Sequence, residues 1–155
     1  MIIANNLKKS FGPQSLFEGV SFLINEGERV GLVGKNGSGK STLFRMILGQ
    51  ESPDFGTLTT PKSYRIGALD QIIRFAHATV LMECVSVLDP EKQWDNYKAE
   101  IILSGLGFSE QDFDKDPSTF SGGYQVRINL CKALLSSPNM LLLDEPTNYL
   151  DILSL

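Results

Sequence analysis

A glycine-rich segment over residues 34–41 carries the residue types that bind phosphate. Its pattern is Gly34-x-x-x-x-Gly39-Lys40-Ser41, in which glycines let the backbone wrap closely around an anion and present successive N–H groups to it. Lys40 adds a positive charge that can reach the β and γ phosphates of a nucleotide, and the Ser41 hydroxyl suits Mg²⁺. The segment therefore predicts a phosphate loop, and a merely flexible turn is the weaker alternative.

Two adjacent carboxylates follow a short apolar run later in the chain. Residues 141–143 are all leucine and lead directly into Asp144 and Glu145. The run predicts a strand that ends in these acids, and open α/β sheets bind their ligands at the carboxyl ends of strands. Asp144 can then hold Mg²⁺ through water, and Glu145 can activate the attacking water. A strand ending in solvated acids is the alternative, which the phosphate loop disfavours.

The spacing of apolar residues predicts the elements that position these groups. Residues 29–33 form a short β-rich apolar run, as expected of a strand buried on both faces, and lead directly into the phosphate loop. Residues 41–48 then have helical spacing and end at Gly49, a natural C-terminal cap. Further strands are predicted at 1–7, 16–24, 57–60, 64–69 and 140–143, and further helices at 80–88, 93–105, 109–114 and 122–136.

Composition and charge narrow the class of protein. The chain has 155 residues, of which 42% are hydrophobic and 21% charged, unlike disordered or fibrous chains. Its net charge of −4 provides no broad basic face for nucleic acid. Cys84 and Cys131 lie far apart among apolar neighbours, which favours two buried free thiols over a disulfide. No stretch approaches the roughly 20 apolar residues of a membrane span, so a cytoplasmic location is expected.

Three motifs together resemble the nucleotide-binding domain of ATP-binding cassette (ABC) proteins. They are the phosphate loop, Phe120-Ser-Gly-Gly-Tyr124 and Leu143-Asp-Glu-Pro-Thr-Asn-Tyr-Leu-Asp151, and their order and spacing match that family over the whole chain. The resemblance implies an α/β fold with a P-loop NTPase core, an N-terminal antiparallel β subdomain and a small helical subdomain, with the C-terminal core strands missing. It implies one incomplete domain over 1–155, divided into a β subdomain with the P-loop (1–70), a helical subdomain (71–120) and the signature helix, Walker B strand and D-loop (121–155).

The same resemblance implies roles for individual residues. Glu145 and Gln71 are expected to be catalytic, with Gln71 sensing Mg²⁺ and the γ-phosphate, although an isolated glutamine is usually just solvated. Phe11 is expected to stack on adenine, although a phenylalanine between two strands is more often part of a core. In the family, the ligands are ATP and Mg²⁺. The implied nucleotide-binding residues are Phe11, Gly34, Lys35, Asn36, Gly37, Ser38, Gly39, Lys40, Ser41 and Thr42, and the implied Mg²⁺ ligands are Ser41, Gln71 and Asp144.

The segment Ser121-Gly-Gly123 resembles the signature motif of the family, which contacts the γ-phosphate held by the opposite domain of a head-to-tail dimer. A hydroxyl at the start of a helix, followed by two glycines, suits an anion. Taken alone, the segment is better explained as an ordinary N-cap and turn, and the other two motifs reverse that preference. The trans contacts implied by the resemblance are Ser121, Gly122, Gly123 and Asp151.

Residues around Asn148 resemble the F subfamily of ABC proteins, which have no membrane domains. Three positions depart from the pattern: Tyr149 replaces a usual histidine, and Phe120 and Tyr124 replace the signature's usual leucine and glutamine. The subfamily resemblance implies a translation factor that joins two cassettes in one chain and acts on the ribosome. The alternative is the ATP-binding subunit of a membrane transporter, whose membrane partner docks on residues 71–106.

A third interpretation is a fragment that binds nucleotide without hydrolysing it. In the family, further core strands and a switch histidine follow the D-loop, whereas this sequence ends at Leu155 and its one histidine, His77, comes too early. His77 is interpreted as a surface histidine of the helical region. We therefore expect weak nucleotide binding and poor hydrolysis from this chain alone.

Overall fold

The computed structural model describes residues 1–69, 73–88 and 96–144. By its internal contacts the chain divides into an N-terminal unit, Met1–Tyr64, and a C-terminal unit that begins at Arg65. Gln71, Glu145 and Asp151 lie outside the described residues. No helix within the described ranges has both the length and the apolar character needed to cross a membrane.

The N-terminal unit contains a three-stranded antiparallel sheet in the order β2-β1-β3. The strands are β1 (Ile2–Phe11), β2 (Gln14–Ile24) and β3 (Phe55–Thr59). Alternate residues of β1 are apolar and buried, namely Ile2 and Ala4, as the pleat of a half-buried strand requires. The strands predicted at 1–7, 16–24 and 57–60 are confirmed.

One helix, α1 (Lys40–Ile47), completes the described elements of this unit. Its buried side chains include Leu43, Met46 and Ile47, the apolar face that the sequence spacing predicts. The helix ends as predicted, because Gly49 adopts φ +72° and its N–H donates to the Met46 carbonyl at 3.1 Å.

The strand predicted at residues 29–33 is wrong. The structure assigns these residues to no strand, and the exposed fractions of Val30, Leu32 and Val33 are 61%, 43% and 93%. A β-strand requires a neighbouring backbone to accept and donate its hydrogen bonds. In the described sheet of the N-terminal unit, β1 pairs with β2 on one side and with β3 on the other, and residues 29–33 pair with none of these strands. An apolar, β-rich composition was therefore insufficient to make this run a strand.

The C-terminal unit packs three helices around one hydrophobic core: α2 (Val80–Val85), α3 (Asn96–Gly105) and α4 (Gly122–Leu135). Cys84 and Cys131 are completely buried in it as free thiols, which confirms the prediction. The pKa of the Cys84 thiol is raised by its hydrogen bond with Cys131 and by burial. The buried core residues are Val80, Cys84, Ala99, Leu103, Phe108, Phe113, Ile128, Cys131 and Leu135.

The helix predicted at residues 109–114 is only a 3₁₀ turn, Glu110–Asp112. The side chain of Asp112 accepts hydrogen bonds from the N–H and hydroxyl of Ser109, at 2.9 and 2.6 Å. These local hydrogen bonds stabilise a single 3₁₀ turn at this position. A second 3₁₀ turn, Pro117–Thr119, lies between it and α4.

Two short parallel strands form a separate sheet in the C-terminal unit. They are β4 (Ile66–Ala68) and β5 (Met140–Leu142), and Gly67 lies opposite Leu141. Their apolar composition predicted both strands, although each is shorter than the predicted run.

Candidate functional site

The phosphate loop is a turn that leads into α1, and Lys40 closes it. Its Nζ atom donates hydrogen bonds to the carbonyl oxygens of Gly34, at 2.8 Å, and Lys35, at 3.2 Å. The N–H of Ser38 donates to the Lys35 carbonyl at 3.1 Å. Lys40 is thus held by two neutral acceptors, and a charged phosphate oxygen would form a stronger hydrogen bond with it than either carbonyl does.

Two glycines of the loop occupy positions where an added side chain would meet a neighbouring side chain. At Gly39, φ is +96° and a Cβ atom would lie 2.9 Å from the ring of Phe17 in β2. At Gly34, a Cβ atom would lie 2.5 Å from Ser38 Oγ. Gly39 is therefore required by its close approach to β2 and by its backbone conformation, whereas a side chain at Gly34 would need only the Ser38 hydroxyl to rotate away.

The first turn of α1 is open to an anion. Gly39 is its N-cap, no side chain caps the first turn, and that turn contains no acidic residue. The N–H groups at the start of a helix carry partial positive charge and attract phosphate when no side chain satisfies them. The ammonium group of Lys40 and this helix start therefore present positive charge from the same turn.

Ser41 and Asp144 are two of the three residues that the resemblance implies as Mg²⁺ ligands, and each carries an oxygen donor. A hydroxyl and a carboxylate match the preference of this ion, which binds few protein oxygens and keeps several waters. Among the residues that the structure describes, no group of three or more His, Cys, Asp or Glu side chains could hold a metal ion. Each donor by itself suits an ion that takes few protein oxygens, and because Ser41 lies in the N-terminal unit and Asp144 in the C-terminal unit, their role in holding Mg²⁺ stays a prediction.

Phe11 ends β1, and 49% of it is exposed. The Nζ atom of Lys9 lies 5.1 Å from the centroid of its ring. This ammonium also donates to Glu51 Oε1 at 2.6 Å and to the Ser52 carbonyl at 2.8 Å, and the bond to Glu51 raises the pKa of Lys9. The Phe11 ring therefore makes a cation–π contact with an ammonium group that hydrogen bonds hold in place. About half of Phe11 is still exposed, and its adenine-stacking role remains a prediction.

Asp144 lies just beyond β5 and is half-buried. The start of β5 is fixed to the start of β4, because the N–H of Asn139 donates to the Arg65 carbonyl at 2.8 Å and the N–H of Arg65 donates to Asn139 Oδ1 at 2.9 Å. The two strands run parallel, so the chain leaves both at the same edge of the sheet. Leu69 and Asp144 therefore emerge at one edge, the usual ligand-binding edge of a parallel sheet.

Ser121 is the N-cap of α4, with φ −61° and ψ 157°, yet its side chain makes no capping hydrogen bond. The residue is exposed, and a Cβ atom placed on Gly122 would meet no atom within 4 Å. Among the residues that the structure describes, none therefore crowds the position of Gly122 at the start of α4. An ordinary N-cap would use the serine hydroxyl for its own helix, and this one does not.

A buried charge network was missed by sequence reasoning. The carboxylate of Glu83 in α2 forms an ion pair with Lys132 in α4 and accepts the N–H groups of Ala76 and His77 at 2.9 and 3.0 Å. Burial would raise the pKa of Glu83, but the hydrogen bonds from Lys132, Ala76 and His77 outweigh it and lower this pKa to about 2. The network fixes the segment before α2 to α4.

His77 belongs to the same network at the surface. Its Nδ1 atom lies 3.1 Å from Glu83 Oε2, and 44% of the side chain is exposed. The interpretation of His77 as a surface histidine of the helical region is therefore confirmed. Glu83 and Lys132 lie 49 positions apart on different helices. No local sequence pattern marks such a pair, so the sequence alone could not identify it.

The predicted site residues thus fall into separate groups. Phe11 and residues 34–42 belong to the N-terminal unit, whereas residues 121–123 and Asp144 belong to the C-terminal unit. The catalytic role of Glu145, the sensing role of Gln71 and the trans contact of Asp151 fall on residues outside the described ranges, and these roles stay predictions.

Comparison with known proteins identifies relatives along most of the chain. Residues 17–148 match the family model described as ABC transporter. The energy-dependent translational throttle protein EttA of Escherichia coli (strain K12) is 42% identical over 151 residues, which are 96% of this chain and 27% of EttA. The ABC transporter ATP-binding protein YfmM of Bacillus subtilis (strain 168) is 34% identical over 97% of this chain and 37% of its own length. The chain therefore spans well under half of these relatives.

Solved structures share the fold. A dimeric bacterial ABC transporter cassette has a TM-score of 0.80 at 25% identity, covering 99% of this chain and 78% of that one. A dimeric post-hydrolysis state of an ATP-binding cassette, bound to ADP and phosphate, has a TM-score of 0.81 at 24% identity over the same shares. The α/β fold with a P-loop core, predicted from the motifs, is confirmed.

Proposed function

The chain belongs to the ABC transporter family, a family of ATP hydrolases, and from this membership we propose that its phosphate loop binds ATP with Mg²⁺. The observation that carries the proposal is the geometry of Lys40, whose ammonium group lies against the carbonyls of Gly34 and Lys35. On binding, Lys40 exchanges these neutral acceptors for the β and γ phosphates, while the N–H groups at the start of α1 contact the same phosphates.

We propose that hydrolysis takes place between two such domains arranged head to tail. The open first turn of α4, with the exposed Ser121, meets the γ-phosphate held by the phosphate loop of the opposite domain. Glu145 orients and activates the attacking water, and Asp151 links the two sites. When bound, Mg²⁺ neutralises the charge that develops on the transferred phosphoryl group. Ser41, Gln71 and Asp144 provide the protein oxygens that hold it.

For the cellular role we propose a translation factor that acts on the ribosome. The support is the 42% identity to the translational throttle protein EttA over almost the whole of this chain, together with the resemblance of the motif around Asn148 to the F subfamily. The competing role is the ATP-binding subunit of a membrane transporter. Its support is the name of YfmM, which is described as an uncharacterized ABC transporter ATP-binding protein.

Nucleotide binding is tested first, by calorimetric titration of the purified chain with Mg-ATP. Removing the ammonium group with Lys40→Ala is expected to weaken binding about 100-fold, because it removes the charge that pairs with the phosphates. The matched control is Lys62→Ala, which removes an exposed lysine from a turn of the same unit. Saturable binding that Lys40→Ala retains unchanged would contradict the proposal.

The cellular role is tested with the full chain carrying Glu145→Gln, which should bind ATP and fail to hydrolyse it. If the translation role is right, this variant sediments with ribosomes in the presence of ATP, and the double variant with Lys40→Ala does not. Recovery of the Glu145→Gln variant with a membrane subunit, and not with ribosomes, would favour the transporter role instead.

A further inference from the structure

Aromatic residues flank the signature loop, residues 121–123, on both sides. Phe120 precedes the loop, Tyr124 follows it, and both rings contact Phe108. The centroids of Phe108 and Tyr124 lie 5.1 Å apart with the rings at 88°, those of Phe108 and Phe120 lie 5.5 Å apart, and those of Phe120 and Tyr124 lie 5.9 Å apart. These distances are typical of favourable aromatic pairs, and we call the three rings the aromatic cluster.

The aromatic cluster is itself tied to the neighbouring backbone. The guanidinium of Arg127 lies 4.8 Å from the centroid of the Tyr124 ring, and its Nη1 atom donates to the Leu106 carbonyl at 3.0 Å. At Gly107, which follows, φ is +88° and a Cβ atom would lie 3.1 Å from that same nitrogen. Arg127 therefore connects the start of α4 to the end of α3 across the Tyr124 ring.

Gln125 fixes the backbone immediately before the signature loop. Its Nε2 atom donates to the Phe120 carbonyl at 2.8 Å and to the Ser118 carbonyl at 3.2 Å. The N–H of Gln125 also donates to the Ser121 carbonyl at 3.0 Å. Both flanks of the loop are thus held by side chains, whereas Ser121 within the loop is exposed and makes no capping bond.

We infer that Tyr124, through the aromatic cluster, is a positioning residue that holds Ser121 in the geometry needed to contact the γ-phosphate of the opposite domain. The inference rests on the proposed head-to-tail function. A loop fixed in its bound geometry loses less conformational freedom when the two domains close, so the contact forms with less entropic cost. The two positions at which this sequence departs from the family's signature pattern, Phe120 and Tyr124, form one packed unit in this structure.

The inference is tested by steady-state ATP hydrolysis of the full chain with Tyr124→Leu and Tyr124→Phe. Losing the ring in Tyr124→Leu is expected to lower kcat about 10-fold to 100-fold, because a small misplacement of a positioned group has effects of this size. KM for ATP should stay within about twofold, since the phosphate loop belongs to the other unit. Tyr124→Phe keeps the ring and should keep the wild-type kcat. Equal kcat in wild type and Tyr124→Leu would overturn the inference.

A double-mutant cycle with Ser121→Ala separates positioning from general destabilisation. If Tyr124 acts through Ser121, adding Tyr124→Leu to Ser121→Ala causes little further loss of kcat, whereas fully multiplicative losses would overturn the inference. If Tyr124→Leu does not fold, as judged by circular dichroism, Phe120→Leu, which removes another ring of the aromatic cluster, replaces it in the same cycle, with the same two outcomes.

The Lys40→Ala variant, measured in the same experiments, tests the proposed function separately from the positioning role of Tyr124. Wild-type hydrolysis that Lys40→Ala does not reduce would refute the proposed function. Hydrolysis that depends on Lys40 and on Ser121 but not on Tyr124 would refute only the positioning role.

Discussion

Four hydrogen-bonding groups from α4 and the segment before α2 converge on the buried Glu83 carboxylate. They are the ammonium of Lys132, the N–H groups of Ala76 and His77, and the His77 ring. A carboxylate of this kind stabilises the folded state only while it is ionised. Because its pKa is lowered from 4.5 to about 2, its contribution is complete above about pH 4.5 and is lost as the pH falls toward 2.

Replacing this carboxylate with Glu83→Gln is expected to lower the free energy of unfolding by about 3 kcal/mol at pH 7, the equivalent of the pKa shift. The difference between variant and wild type should shrink between pH 4.5 and 2. Urea denaturation at pH 7 and pH 3 measures both effects. The matched control is Glu26→Gln, which changes an exposed carboxylate in a turn. A variant that matches wild type at pH 7 would contradict the assignment.

Residue identity predicted the glycine-rich loop that leads into α1, whose phosphate binding stays a prediction, and it did not predict the Glu83 network at all. A phosphate loop binds through backbone N–H groups and therefore requires glycines at fixed spacing, and that spacing is visible in one short segment. The Glu83–Lys132 pair depends on how α2 and α4 pack, which no local pattern encodes. Local sequence also could not show that Ser121 leaves its own helix uncapped, since the same residue usually caps it.

At the scale of elements, β1 and β3 meet at an irregular point where a glycine is required. The register between them shifts after Asn5, and Asn6 itself has φ +50°. Opposite this bulge Gly56 has φ +87°, and a Cβ atom there would lie 2.3 Å from the Asn6 carbonyl oxygen. Both the backbone conformation and the close approach therefore exclude other residues.

Gly56→Ala is accordingly expected to lower the free energy of unfolding by about 3 kcal/mol or more, since it adds a backbone clash to a left-handed conformation. Gly12→Ala is the matched control, because Gly12 also has positive φ, +58°, but a Cβ atom there would meet nothing within 4 Å. The control should lose only about 1 kcal/mol. Thermal unfolding of the two variants compares them directly, and equal losses would refute the steric argument.

Helix α1 and the strands that pair within each unit followed from sequence spacing, whereas residues 29–33 did not. Apolar, β-branched composition describes what a strand face needs, but hydrogen bonds to a neighbouring strand decide whether it forms. That pairing is a property of the whole sheet. The loop and α1 were nevertheless predicted correctly, because both form without a strand before them.

At the scale of the whole molecule, the phosphate loop and the signature loop belong to different units. In the proposed head-to-tail pair, formed by two copies of this chain, each ATP site would combine the phosphate loop of one copy with the signature loop of the other. Mixing Lys40→Ala chains with Ser121→Ala chains should therefore restore hydrolysis. A mixed pair combines both defects in one site and leaves its second site intact.

Random pairing of equal amounts should give about a quarter of the wild-type rate, because half of the pairs are mixed and each has one intact site. Hydrolysis by the mixture and by each variant alone, at equal total protein concentration, measures this recovery. The rate of the mixture should exceed the mean of the two variants. No recovery, with both variants folded, would show that the two loops do not act across a pair.

The two buried thiols also make the C-terminal unit a reporter of its own opening. Cys84 and Cys131 are the chain's two cysteines, both lie in the core between α2, α3 and α4, and neither has exposed surface. A thiol-labelling reagent can therefore reach them only when these helices separate, and the raised pKa of Cys84 keeps that thiol neutral until then. The labelling rate, measured with and without ATP, thus reports how often the helical core opens, and it needs no engineered probe.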